Sequence, residues 1–179
     1  MFKKSAMQLK KPITLSTAAM MIALYVVLYM VKIPIAVESR VSLTFLPIVI
    51  AGYLTGPVTS MLVGAIGDVL GFFLFPSPGG FFPGFTISSA ITGLIYGIFL
   101  YGAPQKSCRL RVIISTMVVV VAVYTLLNTF WLAILYQKAY FVYLTSRIVK
   151  NVIVFPLQMI LSMITIDSLI RTGITKKYI

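Results

Sequence analysis

The segment from Val112 to Tyr136 contains no charged side chain, and it exceeds the roughly 20 apolar residues a helix needs to cross a bilayer. Backbone polar groups in hydrocarbon must be satisfied within the segment, so such a run is helical. Five further apolar runs accompany it, at 13–31, 43–54, 58–75, 86–101 and 143–170. Lys32 and Pro34 close the first, Gly56-Pro57 breaks the second, and the prolines and glycines of residues 76–84 separate the third from the fourth. The sequence therefore predicts an all-α membrane protein with six transmembrane helices, forming one domain over 1–179. The run at 43–54 is short, consistent with little tilt or a partly interfacial position. Six crossings and their turns use the whole length, leaving no soluble domain. No G-x-x-x-x-G-K-[ST] phosphate loop occurs, so energy from ATP would have to come through another chain.

Fifteen Lys and Arg face only Glu38, Asp68 and Asp167, a formal charge of +12. In a soluble protein that balance would suggest nucleic acid. Here the cations lie between apolar runs, where cytoplasmic ends meet anionic lipid, so no nucleic-acid partner is expected. With six spans both termini lie on one side, together with ten cations: Lys3, Lys4, Lys10, Lys11, Lys106, Arg109, Arg111, Arg171, Lys176 and Lys177. The other side has five, Lys32, Arg40, Lys138, Arg147 and Lys150, which predicts cytoplasmic N and C termini. There is no His, so imidazole metal sites and His acid–base chemistry are absent, and no cofactor is expected. Cys108 falls in a basic, cytosolic stretch and has no partner for an internal disulfide. No small-residue cleavage site precedes Pro34, so the first run reads as a retained helix.

Small residues at four-residue spacing mark close helix contacts in lipid. The third run carries Gly56, Ser60, Gly64, Gly67 and Gly71, and the fourth Ser89, Gly93 and Gly97; both stripes read as bundle packing. Ala19 and Ala23 form an A-x-x-x-A on the first run, a smooth strip that suits either internal packing or an external docking face.

Polar groups inside spans are costly and point to function. Asp68 lies in the outward half of the third run. Tyr124, Asn128 and Trp131 follow an i, i+4, i+7 spacing in the fifth, and Arg147, Lys150 and Asn151 an i, i+3, i+4 spacing at the outer start of the sixth. Arg40, Phe81 and Phe82 join them from outward loops. Two readings fit this set. Asp68 could pair internally with Arg147 or Lys150 while the aromatics form an interface belt. Alternatively, the groups line an outward-open pocket with aromatic walls, amides, one carboxylate and excess positive charge, suited to a flat heteroaromatic ligand bearing anionic groups. Asp167, four residues before Arg171, reads as one half of a surface i, i+4 pair.

The arrangement resembles the substrate-binding S components of energy-coupling factor (ECF) vitamin transporters, six-helix proteins of the bacterial cell membrane. Ala19 and Ala23 look like the motif by which those proteins dock on their transmembrane partner. Phe45-Leu46-Pro47-Ile48, Ala51-Gly52-Tyr53-Leu54-Thr55-Gly56-Pro57 and Gly67-Asp68 resemble the folate-specific branch. So do Phe82-Pro83-Gly84-Phe85-Thr86, Gly93-Leu94-Ile95-Tyr96-Gly97 and the stretch from Arg147 through Lys150-Asn151 to Pro156. The resemblance implies a high-affinity folate binder that is not an enzyme. It also implies partnership with a membrane scaffold subunit and two ABC-type ATPases, and a binder that topples in the membrane to carry its ligand inward. Folate suits the proposed pocket: its pterin can stack on Trp131, Phe81, Phe82 or Tyr124 and meet Asp68 or an amide through its N–H donors. Its glutamate carboxylates would favour Arg40, Arg147 or Lys150. Another flat vitamin is the alternative within the family, and an ion-driven secondary transporter the alternative outside it. The two halves of the chain lack the mutual similarity that such transporters often show. A membrane enzyme is disfavoured because Asp68 has neither a His nor a second nearby carboxylate to work with.

Overall fold

The computed structural model describes residues 5, 7–36, 39–76, 80–137 and 140–173, with side chains outside 32–36, 39–41, 105–106 and 142–143. Helix α1, Pro12–Met30, starts with proline at its first position, where the missing N–H has no intrahelical use. It is followed by strands β1, Lys32–Ala36, and β2, Ser39–Ser42, an antiparallel hairpin in which Ile33 faces Val41 and Pro34 faces Arg40. This hairpin occupies what the hydropathy pattern shows only as a loop. Helices α2, Phe45–Thr55, and α3, Pro57–Leu74, meet at Gly56, whose φ of 89° lets the chain reverse in one residue. Helix α4 is Pro83–Leu100, beginning three residues before the apolar run because Pro83 initiates it. The fifth span is α5, Gln105–Val118, a π-helical segment, Val119–Leu127, and α6, Asn128–Tyr136. It ends at Gln137 in the left-handed region, φ 53°. The sixth span is α7, Tyr140–Arg171, which contains Pro156.

Five of these spans are long and apolar enough to cross a membrane, and α2 is the shorter sixth. Its 11 residues rise roughly 16 Å, about half of a hydrocarbon core. Nine of the 11 are buried, including Phe45, Val49 and Tyr53, because α1, α3, α4 and α7 surround it. The chain is thus an all-α, multi-pass membrane protein with one small hairpin.

Glycine sets how closely the central helices approach. On α4, a Cβ at Gly93 would collide with the Ser60 carbonyl and one at Gly97 with Pro57, so α3 and α4 pack backbone to backbone. The lower part of the α3 stripe has a different use: Gly67 and Gly71 make room for the rings of Tyr25 and Tyr29 from α1. The main core joins Tyr25, Phe45, Tyr53, Tyr96, Leu100, Val112 and Ile166 from five spans.

One end of the bundle collects the N-terminal segment, the Gly56 reversal and the start of α5. The buried Ser5 hydroxyl donates to the Thr55 carbonyl at 3.1 Å and accepts from the Val58 N–H at 3.2 Å. Gln8 donates to the Tyr101 hydroxyl at 2.7 Å. Two expectations are corrected here. Cys108, expected in a basic stretch between spans, belongs to α5 together with Arg109 and Arg111, and it is buried. Asp167 pairs across the bundle with Arg109, Nη2 to Oδ2 at 2.9 Å, in place of Arg171 on its own helix. The guanidinium offers two donors to that carboxylate, with Nε 3.4 Å from Oδ1.

Candidate functional site

At the opposite end, the first turns of α4 stand among α1, α3 and α6. Asp68, on α3, is half-buried there, and its Oδ2 accepts from the Thr86 hydroxyl at 2.8 Å. The Tyr25 hydroxyl on α1 lies 3.5 Å from Asp68 Oδ1 and 3.4 Å from the Ser89 hydroxyl, so three helices converge on one carboxylate. Tyr25 reaches this point because Gly67, one residue before Asp68, carries no side chain to block its ring.

Trp131, on α6, faces the other side of the same α4 turn. Its indole N–H donates to Ser88 Oγ at 3.2 Å, and its ring lies 5.8 Å from Phe82 and 5.2 Å from Phe130. Gly84 is what admits the indole: a Cβ at that position would stand 2.5 Å from Trp131 Cδ2. Phe82 and Phe81 diverge although adjacent. Phe82 joins the Trp131 wall, whereas Phe81, exposed, stacks on Phe73 at 5.6 Å and lies tilted against Phe72 at 5.4 Å.

The π-helical segment arranges the third group. Its i→i−5 bonding, seen in the Asn128 N–H donating to the Val123 carbonyl, widens the turn and changes the angular offsets along the span. Tyr124 packs against the main core beside Thr92, one turn of α4 below the contact of Trp131 with Ser88. Arg147 donates to the Tyr124 carbonyl at 3.2 Å, and Asn151, 7% exposed, donates to Thr125 Oγ1 at 2.7 Å. Asn128 Oδ1 is buried with no hydrogen-bond partner, an acceptor that calls for a donor. Lys150 is half-buried on α7, one turn beyond Arg147. Arg40 is in β2, and its side chain lies outside the described residues.

The structure therefore joins Asp68, Trp131 and Phe82 around the start of α4, and Tyr124, Arg147 and Asn151 around the π segment. It separates Phe81 from both. Sequence reasoning missed Tyr25, Thr86, Ser88 and Thr125, the hydroxyls that orient these groups. Thr86 carried a signal, because it closes the P-G-F-T segment at the head of α4. Chemically, the arrangement offers an oriented carboxylate, an aromatic wall, one unpartnered amide oxygen and cations a helix turn apart, a set that suits a planar N–H donor with an anionic tail.

On the first run, Ala19 and Ala23 are exposed, alongside Leu15, Met20 and Val27, on the face of α1 opposite buried Thr14, Ala18 and Tyr25.

Residues 14–166 match the family model of the ECF transporter substrate-specific component. A folate transporter FolT of Clostridium novyi (strain NT) is 40% identical over 121 residues, covering 68% of this chain and 69% of that protein. A folate transporter FolT of Leuconostoc mesenteroides subsp. mesenteroides is 33% identical over 164 residues, covering 89% and 87%. Among solved structures, a FolT bound with folic acid superposes with a TM-score of 0.75 at 32% identity, covering 83% of this chain and 89% of that one. The S component of a bacterial ECF transporter superposes with a TM-score of 0.68 at 25% identity, covering 92% and 97%.

Proposed function

The chain belongs to the substrate-specific components of ECF transporters, and we propose that it is the folate-binding subunit of such an importer. The family is one of transporter components rather than enzymes. The observation that carries the folate reading is the likeness, over most of the chain, to a solved FolT that holds folic acid.

The chemistry of the site supports the same ligand. Asp68 accepts from the pterin amino group and the adjacent ring N–H, a paired contact that an ionised carboxylate can make. Trp131 and Phe82 supply the aromatic wall for the pterin face, with Tyr124 deeper. The fifth and sixth spans add two amides, Asn128 with its unpartnered oxygen and Asn151. The glutamate carboxylates are met by Arg147 and Lys150, joined by Arg40 from the hairpin. The partners are a membrane scaffold subunit, docking on the exposed Ala19–Ala23 strip, and two ABC-type ATPases.

Equilibrium binding of the purified chain to a panel of vitamins tests this reading. Folate should bind tightly and without turnover, and flat vitamins lacking the pterin edge should not compete. Tight binding of a different vitamin with no affinity for folate would overturn it.

A further inference from the structure

The candidate ligand groups come from three helices, yet two of them are held from a single turn of a fourth. Thr86 and Ser88 stand two residues apart on α4, about 200° around the helix, so their hydroxyls address opposite neighbours. Thr86 donates to Asp68 Oδ2 at 2.8 Å. Ser88, 2% exposed, accepts from the Trp131 indole at 3.2 Å.

Neither hydroxyl is where membrane helices normally place it. Thr and Ser in spans usually return the hydroxyl to the carbonyl one turn back, as Thr17 does to Ile13, Thr92 to Ser88 and Thr165 to Leu161. Thr86 lies in the first turn of α4, where the carbonyl one turn back is that of the N-cap Phe82 and already accepts from the Phe85 N–H, and the Thr86 hydroxyl donates to another helix instead. Gly84 adds the space that lets the indole reach Ser88.

We propose that Thr86 and Ser88 are positioning residues of the ligand site: Thr86 fixes the plane of the Asp68 carboxylate, and Ser88 fixes the tilt of the Trp131 ring. Thr86 on Oδ2, with the Tyr25 hydroxyl near Oδ1, sets the plane in which the carboxylate, with its several lone-pair sites, meets a paired N–H donor. Ser88 holds the indole by its N–H edge, not by its ring face. The inference rests on the folate reading for its ligand, but the geometry of each arm is testable without ligand.

Trp131 is the chain's one tryptophan, so its emission reports on the Ser88 arm alone. In ligand-free protein, Ser88→Ala removes a polar partner of the indole, and emission should shift to shorter wavelength, with Ser88→Thr restoring it. Unchanged emission in Ser88→Ala would overturn that arm whatever the protein binds. Thr86→Val is nearly isosteric and should weaken folate roughly ten- to a hundredfold, the usual effect of losing a hydrogen bond to a charged group. Thr86→Ser should bind within a few-fold of wild type, and both should keep wild-type Trp131 emission. A Thr86→Ser protein as weak as Thr86→Val, or a Thr86→Val protein as strong as wild type, would overturn the Thr86 arm. If Thr86→Val does not fold, Thr86→Ala is compared with Thr86→Ser by the same criteria. Wild-type protein that fails to bind folate while Ser88→Ala still shifts the emission would discard the ligand and keep the Ser88 arm.

Discussion

Arg147 donates through Nη1 to the backbone carbonyl of Tyr124 across 3.2 Å, joining the sixth span to the π-helical part of the fifth. A guanidinium has five N–H donors, so this contact orients the group and leaves donors for an anionic ligand. Arg147→Ala should therefore do two things at once. Folate affinity should fall roughly ten- to a hundredfold, more than that of a pterin lacking the glutamate tail. The unfolding temperature should also drop, because the carbonyl loses its partner. Isothermal titration with both ligands checks the first part; equal weakening of the two would move Arg147 to the ring end of the site.

Asp68 presents the sharper test of ligand orientation. Asp68→Asn keeps the shape but places a donor where the ring edge also donates, and each charge-assisted bond lost costs about 1.5–3 kcal/mol. Binding should fall by roughly a hundredfold or more, while expression and helical circular dichroism stay near wild type. A well-folded Asp68→Asn protein with unaltered folate affinity would shift ring reading to Asn128, whose buried amide oxygen has no partner.

The exposed strip of Ala19 and Ala23 faces away from Tyr25 and the site, so docking and binding should separate. Ala19→Trp or Ala23→Trp should abolish folate uptake in cells carrying the partner module and leave binding to the purified chain intact. Parallel loss of both in a folded protein would assign the strip to packing.

Gly93→Ala should push α4 off the Ser60 carbonyl. Overpacking of this kind typically costs about 1–3 kcal/mol. Thermal unfolding in detergent should register it, and Ala90→Gly on the same helix, half-buried, should cost less.

Orientation is tested by cysteine accessibility, and the burial of Cys108 changes the design. In a Cys108→Ser background, Pro76→Cys should react in intact cells with a reagent that cannot cross the membrane, and Thr172→Cys should react only after permeabilisation. The opposite pattern would invert the topology.

The apolar runs and the small-residue stripes made the bundle legible, because lipid imposes length on every span and glycine on every close approach. Helix starts were less visible: Pro83 sits in a loop-like stretch of prolines and glycines, yet its fixed φ initiates α4. Nothing in the apolar run of 119–127, whose first five residues are valine or alanine, distinguishes i→i−5 from i→i−4 bonding, so the π segment was hidden. At the site, Asp68 and Trp131 stood out because charge and indole are rare in spans. Their holders Thr86 and Ser88 did not, since hydroxyls are common there and usually bond their own helix. Asp167 shows the same limit in reverse: an i, i+4 partner was visible in sequence, but the arginine that pairs with it stands on another helix, 58 residues away along the chain.

The brevity of α2 bears on how the protein is made. A segment of 11 residues is too short to be retained in the bilayer as an independent crossing when it leaves the ribosome. Because Gly56 reverses the chain in a single residue, α2 can enter together with α3 as one helical hairpin, its polar ends carried by the longer helix. Ser5, which bridges Thr55 and Val58, is synthesised first but acquires both partners only after that hairpin has turned. Membrane integration of α2 should thus depend on downstream sequence, and in a nascent chain halted before α3 the second span should be open to a thiol reagent that cannot cross the membrane, through a cysteine placed in α2 of a Cys108→Ser chain.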